Sequence, residues 1–433
     1  MILDKTKTNY SKINDIDLKS ITIYAQNSKT PIDIKSVVTQ FQVFENLFSD
    51  SVSGYLQIAD ANNLLSNIPI VGREKIIVRF RTPGLEDSAD LIELKLVCYK
   101  LSKVNISDNG KVMSYSLHFM SEEHFVNETT RLQRSYKGKI TTTINRIFNE
   151  VFPESSLTIG SSDSKLDFVC PRWKAFSAIR WLANRCISNE PKGMPDMLFY
   201  ADLDGYHLRS YEHMMNQPPV AIYTYYLERT QQSLEQQFYS IDQIDTTEGL
   251  DAIHSMKTGT YASRLCVHDI TSKSYTEYSF SHKKDVPLKD NEFSPISSSD
   301  FLNTSYEEKV FFKPERDDNN SYDDWILKRN SHLGSMEFER LGIVVAGNHT
   351  LRPGQTVELN VAKIRTSDES DPNKLDERMS GKFIIAGINH IINTEQYICK
   401  VKLIRNHRTA PLPDTVTVSG IDEDPESLEF RYF

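Results

Sequence analysis

The sequence predicts an α+β fold that is mostly β, with two antiparallel β modules, an α+β domain between them and an inserted segment. Three observations predict it. Behind the turn pair Pro353-Gly354, Val357, Leu359 and Val361 alternate with Glu358, Asn360 and Ala362. "GKFIIAGINHIINTEQYICKVKLIRN" then forms a hairpin that turns near Asn393-Thr394-Glu395. Its returning strand sets Tyr397, Cys399, Val401 and Leu403 on one face and Lys400 and Lys402 on the other, which makes a small sheet with one wet side. Near the start of the chain the same pattern occurs once already: Gly72, an alternating strand with Ile76, Val78 and Phe80, and a long hairpin from Leu94 to Phe119. Between the two modules the apolar period changes from two to helical spacing.

Residues 1–120 form the first β module. Tyr55, Gln57 and Ala59 belong to one strand, and Ile76, Val78 and Phe80 alternate with Ile77, Arg79 and Arg81 in another. Asp108-Asn109-Gly110 supplies a hairpin turn, after which Met113, Tyr115, Leu117 and Phe119 alternate with Ser114, Ser116 and His118. Residues 121–219 form the α+β middle domain. Ile140, Ile144, Ile147, Phe148 and Val151 share one helical face, as do Trp173, Phe176, Ile179, Leu182 and Ile187 behind Pro171. A hairpin around Asp204-Gly205 follows. Residues 220–268 begin the second β module with Ala221, Tyr223 and Tyr225, and residues 269–334 are a polar insertion rich in Ser, Asp and Lys. A helix around residues 323–339, with Trp325, Ile326, Leu333 and Met336 as its apolar positions, leads back. Residues 335–408 complete the module, and residues 409–433 form an acidic tail. Gly72 is matched with Gly354, and the Leu94–Phe119 hairpin with the Phe383–Ile404 hairpin, as a repeat of pattern rather than of residues.

The chain's 433 residues suffice for roughly two to four domains with cores of useful size. Asp and Glu number 59 against 50 Lys and Arg, a net charge of −9 with neither sign in a long block. A DNA-coating role, which needs a basic stripe, is disfavoured. No apolar run approaches the roughly 18 residues of a membrane span, and the N-terminus lacks the apolar stretch of a signal peptide, so assembly in the cytosol is expected. Cys98, Cys170, Cys186, Cys266 and Cys399 are odd in number and form no CxxC pair, which fits packed thiols better than disulfides or zinc.

Three stretches carry a resemblance: "SVSGYLQIADANNLLSNIPIVGREKI", "FYADLDGYHLRSYEHMMNQPP" and "GNHTLRPGQTVELNV…SGKFIIAGINHIINTEQYICKVKLIRN". In this order and spacing the chain resembles the baseplate hub protein of contractile-tailed, T-even-like bacteriophages. It is also similar to phage late-control protein D and to the hub half of VgrG. The resemblance implies two tail-tube-like β-barrels per chain and a homotrimeric ring that adapts a sixfold tail tube to a threefold central spike. The implied partners are the chain itself, the tail tube protein, a separate spike protein and baseplate wedge or tail-terminal proteins. Tape measure and genomic DNA would pass through an acidic or neutral lumen. The implied location is the virion tail baseplate, assembled in the host cytoplasm and without a membrane anchor. No OB-fold, β-helical needle or lysozyme-like segment follows residue 408, so the spike is expected to be a separate polypeptide. The tail's Leu428, Phe430, Tyr432 and Phe433 have two readings, a frayed terminus or an arm that binds a partner by strand addition. A hub of a non-viral contractile injection system is the alternative, and a carbohydrate-degrading tail enzyme is the reading from another class.

No enzymatic activity is expected, and no catalytic, cofactor or metal site. The acidic pairs Glu122-Glu123, Glu307-Glu308, Asp317-Asp318 and Asp323-Asp324 lie on polar segments, where solvent exposure is the default. His118, Glu122, Glu123 and His124 fit neither HExxH nor HxxEH. Asp202 and Asp204-Gly205 resemble a calcium loop but lack its first acid and closing glutamate, so a hairpin turn explains them better. GxGxxG, GxxxxGK[ST] and GxSxG are all missing. Arg405, His407 and Arg408 form a compact basic spot read as a solvated strand end.

Overall fold

The computed structural model describes residues 12–25, 30–68, 70–83, 91–107, 110–226, 232–249, 251–269, 272–286, 309–313, 322–363, 375–376, 378–394 and 396–408. The first module contains β1 (Asp17–Tyr24), β2 (Val38–Asn46), β3 (Ser53–Asp60), β4 (Lys75–Arg81), β5 (Ile92–Ile106) and β6 (Met113–Ser121). Their order in the sheet is β2-β3-β6-β5-β4-β1, with every neighbour antiparallel. Alternation decides which side of each strand is dry: Ile76, Val78 and Phe80 on β4 and Tyr115, Leu117 and Phe119 on β6 are all buried. Burying each of these side chains contributes roughly 1.5–3 kcal/mol, and their rings interlock, with Phe41 edge-on to Phe80 at 6.2 Å. Of the expected turn at Asp108-Asn109-Gly110, only Gly110 lies among the described residues, at φ 65°.

In the middle domain, α1 (Ile140–Val151) buries Ile140, Ile144, Ile147 and Phe148, the expected stripe. The helix α2 (Ala175–Ala183) is shorter than its sequence pattern suggests. Arg172 adopts a positive φ of 60° behind Pro171, so the chain enters the helix only at Ala175. Trp173 instead packs edge-on against Trp181 at 5.7 Å. Both helices rest on the hairpin of β7 (Met197–Asp202) and β8 (Gly205–Ser210) through rings, with Phe148 5.1 Å from Tyr206 and Phe176 5.7 Å from Phe199. The hairpin joins the main sheet where Ala201 pairs with Asn46.

The second module begins with β9 (Ala221–Tyr225) and β10 (Ile241–Glu248). A separate small sheet follows, in which β11 (Ala262–Asp269) pairs antiparallel with β12 (Ser274–Ser281) and parallel with β13 (Lys309–Lys313). The helix α3 (Tyr322–Met336) packs on this sheet and leads back. The module is completed by β14 (Glu339–Ala346), β15 (Thr356–Val361), β16 (Gly381–Asn393) and β17 (Tyr397–Arg405). Its order is β10-β14-β17-β16-β15-β9, antiparallel except for β9 with β15.

Candidate functional site

Strand order and register make the repeat structural. Position by position, β10, β14, β17, β16 and β15 take the places of β2, β3, β6, β5 and β4, with the same neighbours and the same antiparallel sense. Two of the irregularities coincide as well. The bulge between Cys98 and Lys100 on β5 matches that between Ile385 and Gly387 on β16. The bulge between Val38 and Gln40 on β2 matches that between Ile241 and Gln243 on β10. Bulges are designed features of a sheet, and a shared set pins one register onto the other.

The turn before β4 and β15 is also the same construction. Arg73 N–H donates to the Cys98 carbonyl at 2.8 Å, as Gly354 N–H does to Ile385 at 2.8 Å. Val71 N–H donates to the Glu74 side chain at 2.7 Å, as Arg352 N–H does to Gln355 at 2.9 Å. The counterpart of Gly354 (φ 85°) is therefore Arg73 (φ 74°), one residue beyond the Gly72 matched by sequence. The left-handed conformation recurs where the glycine does not. Only the first strand departs: β1 is antiparallel to β4, whereas β9 is parallel to β15.

The two modules meet edge to edge. The first half of β16 pairs with β15, and its second half pairs antiparallel with β2, from Gly387 opposite Asn46 to Asn393 opposite Gln40. One sheet thus runs unbroken from β10 through both modules to β1. At the seam, His390 Nε2 lies 2.8 Å from Glu45 Oε1, and both side chains are fully buried. The ring's Nδ1 faces the Tyr397 hydroxyl at 2.8 Å and Cys399 Sγ at 3.4 Å. Leu203 N–H donates to the other Glu45 oxygen at 2.8 Å. Burial works against a charged imidazole, but Cys399 and the Glu45 carboxylate outweigh it and raise His390 to about 9.

A second histidine fastens the seam in the opposite charge state. Thr82 N–H donates to His349 Nδ1 at 3.1 Å, and His349 N–H donates to Thr82 Oγ1 at 3.2 Å. Burial, then the neighbouring Arg352, pushes this imidazole down to about 4, so it stays neutral and its Nδ1 accepts. A slip of one residue between β2 and β16 would carry Glu45 to the face away from His390 and break that ion pair, so the pair favours this register. The wet face over the seam is a shallow cleft lined by Phe44, Asn389, Arg340, Lys400, Lys402 and Asp245.

The other residues singled out by sequence fall into structural roles. Glu122 pairs with Lys75 at 2.9 Å, and Ser155 donates to Glu123 at 2.5 Å. His118 contacts Ser102 at 2.7 Å, and burial followed by Lys100 and Lys103 lowers its pKa. Asp202 holds His207 at 2.9 Å and accepts from Asp204 N–H at 2.9 Å, which fixes the hairpin turn. The basic spot differs from its sequence reading. Arg405 is buried rather than solvated: it pairs with Glu339 at 2.5 Å, lies over the Phe383 ring at 4.2 Å and is lowered by burial to about 10. Arg408 shares the same carboxylate. Among the described residues no three His, Cys, Asp or Glu side chains gather as metal ligands, and no helix is long and apolar enough to cross a membrane. Glu307, Glu308, Asp317, Asp318 and the tail with Leu428, Phe430, Tyr432 and Phe433 lie outside the described residues. The seam itself carried no sequence signal beyond the repeat.

The architecture recurs in solved structures. A 43 kDa tail protein of prophage MuSo2 from Shewanella oneidensis superposes with a TM-score of 0.55 at 9% identity, over 89% of this chain and 98% of that one. The tail protein from Neisseria meningitidis MC58 gives 0.51 at 13% identity, over 89% and 96%. No family model matches the chain, and no curated protein matches it either. The chain therefore has the fold of phage tail proteins, and the resemblance read from sequence is matched by its architecture.

Proposed function

We propose that the chain is the structural hub of a phage tail baseplate. Three copies close into a ring of six β modules that meets a sixfold tail tube on one side and a separate threefold spike on the other. The observation that carries this reading is the seam: two modules of the same strand order, joined edge to edge, are the repeating pair such a ring needs. A closed ring also removes the sheet edges that would otherwise invite uncontrolled pairing. Tape measure and genomic DNA would pass along the wet face. There Arg340, Lys400 and Lys402 face Asp245, and Glu337 pairs with Arg340 at 2.9 Å and Lys402 at 3.1 Å. On this reading the lining is mixed in charge, against the expectation of an acidic or neutral lumen.

Residues 409–433 would serve as an arm, with Leu428, Phe430, Tyr432 and Phe433 adding to a partner's sheet edge. Native mass spectrometry with electron microscopy of the purified chain, alone and with tail-tube and spike proteins, tests the hub reading. A trimer with a central opening and six similar modules is expected. A dimer, or a particle with no opening, overturns it.

A further inference from the structure

The seam inside the chain has a counterpart that is left open. Through the repeat, the part of β16 that pairs with β2 corresponds to β5 beyond Cys98. The paired part of β2 corresponds to Gln243–Glu248 of β10. Among the described residues β5 has a strand on its β4 side only as far as Val97, and β10 ends the main sheet, with β9 bridging only Ser240 just before it through Thr224. We infer that these two edges pair with each other between neighbouring copies, β5 of one antiparallel to β10 of the next, with Ser102 opposite Glu248 and Ile106 opposite Ile244. This rests on the ring reading above and names the strands that close the ring.

Exposure supports the pairing. Ile388 and Ile392, covered by the partner module at the inner seam, are 3% and 2% exposed; their counterparts Leu101 and Ile106 are 38% and 64% exposed. On the other edge, Phe41 is 1% exposed, whereas its counterpart Ile244 is only half-buried. A second copy seated as β2 seats on β16 would cover all three side chains.

Register supports it independently. Relative to the inner seam, β5 carries one extra residue between Ser102 and Asn105, and β10 carries one between Ile244 and Thr247. Either bulge alone would throw the pairing out by one residue and invert the faces. Set opposite each other they cancel: Ser102 to Ile106 spans as many residues as Ile244 to Glu248.

Charge also fits, since the β5 edge bears the exposed Lys100 and Lys103 and β10 bears the exposed Asp242 and Asp245. The outer seam is not a copy of the inner one in every respect. Gly249 follows β10 at the position of Glu45, so the buried ion pair belongs to the seam within the chain alone.

The test is a full-length chain carrying Ser102→Cys and Glu248→Cys, oxidised at a concentration where the unmodified chain is trimeric by native mass. The five native cysteines are buried and do not compete. Covalently linked dimers and trimers on a non-reducing gel are expected, with Ser102→Cys paired with Gln243→Cys remaining unlinked. Ile106→Asp should shift the native mass from trimer to monomer while leaving the unfolding midpoint in place when both chains are compared at a dilution where the unmodified chain is also monomeric. A trimer that does not cross-link at this pair, or that survives Ile106→Asp, overturns the proposed pairing and leaves the hub reading standing. An unmodified chain that stays monomeric alone and with its tail partners overturns the hub reading itself.

Discussion

Replacing Glu45 by Gln should loosen the seam between the two β modules and shrink the alkaline limb of the protein's pH–stability profile. His390 has an ordinary value of 6.5 and is held at about 9 in the folded chain. Its folded pKa is raised, so its contribution is fully present below pH 6.5 and is lost as pH rises through about 9. Moving a buried imidazole over that interval corresponds to about 3 kcal/mol of stability. Gln keeps the size of Glu45 and opens no cavity, but it withdraws the anion. Cys399 stays beside the ring, so the imidazole loses the Glu45 share of its support, its pKa falls back toward the ordinary value, and the variant starts up to about 3 kcal/mol less stable at pH 6.5. The measurement is urea unfolding between pH 6.5 and 9, with hydrogen exchange of peptides spanning residues 40–46 and 387–393, normalised for the intrinsic base-catalysed rate. Wild type should lose protection at the seam as pH rises, and the variant should begin lower and fall with a shallower slope. A flat wild-type profile, or a variant that keeps the wild-type slope, refutes the reasoning.

The acid side should be set by His349, whose pKa is lowered from 6.5 to about 4. Its contribution is present above pH 6.5 and lost as pH falls through about 4, because protonated Nδ1 can no longer accept from Thr82. His349→Gln should flatten urea midpoints on this side alone, and a variant that still falls with the wild-type slope would show that other groups dominate. Gly54→Ala should destabilise the first module by about 1–3 kcal/mol or more. A Cβ there would collide with the Gln42 carbonyl and come within 2.6 Å of the Phe119 ring, forcing β2 and β3 apart. An unchanged thermal midpoint would contradict that packing.

Much of the fold could be read from local pattern. Strands such as Val357-Leu359-Val361 and helices such as Ile140–Val151 announce themselves because one face is dry and the side-chain period is fixed. The repeat showed for the same reason, although its register is off by one at Gly72, where Arg73 takes the glycine-like conformation without the glycine. Trp173 continued a helical pattern that the backbone at Pro171 and Arg172 does not allow, and Ile187 lies beyond the helix end at Ala183. Arg405 looked solvated beside His407 and Arg408 because its partner Glu339 is far away in sequence.

By itself the sequence determined the two β modules, their hairpins and the helical middle, since alternation and turn residues act over a few neighbouring positions. Tertiary structure alone decided that the modules share one sheet. The backbone bonds between β2 and β16 join residues about 345 positions apart and leave no mark on side-chain pattern. It also decided that Glu45 and His390 meet in the dry seam. A buried charge is stable there only because the fold delivers its partner, and no local rule reports which distant residue that will be.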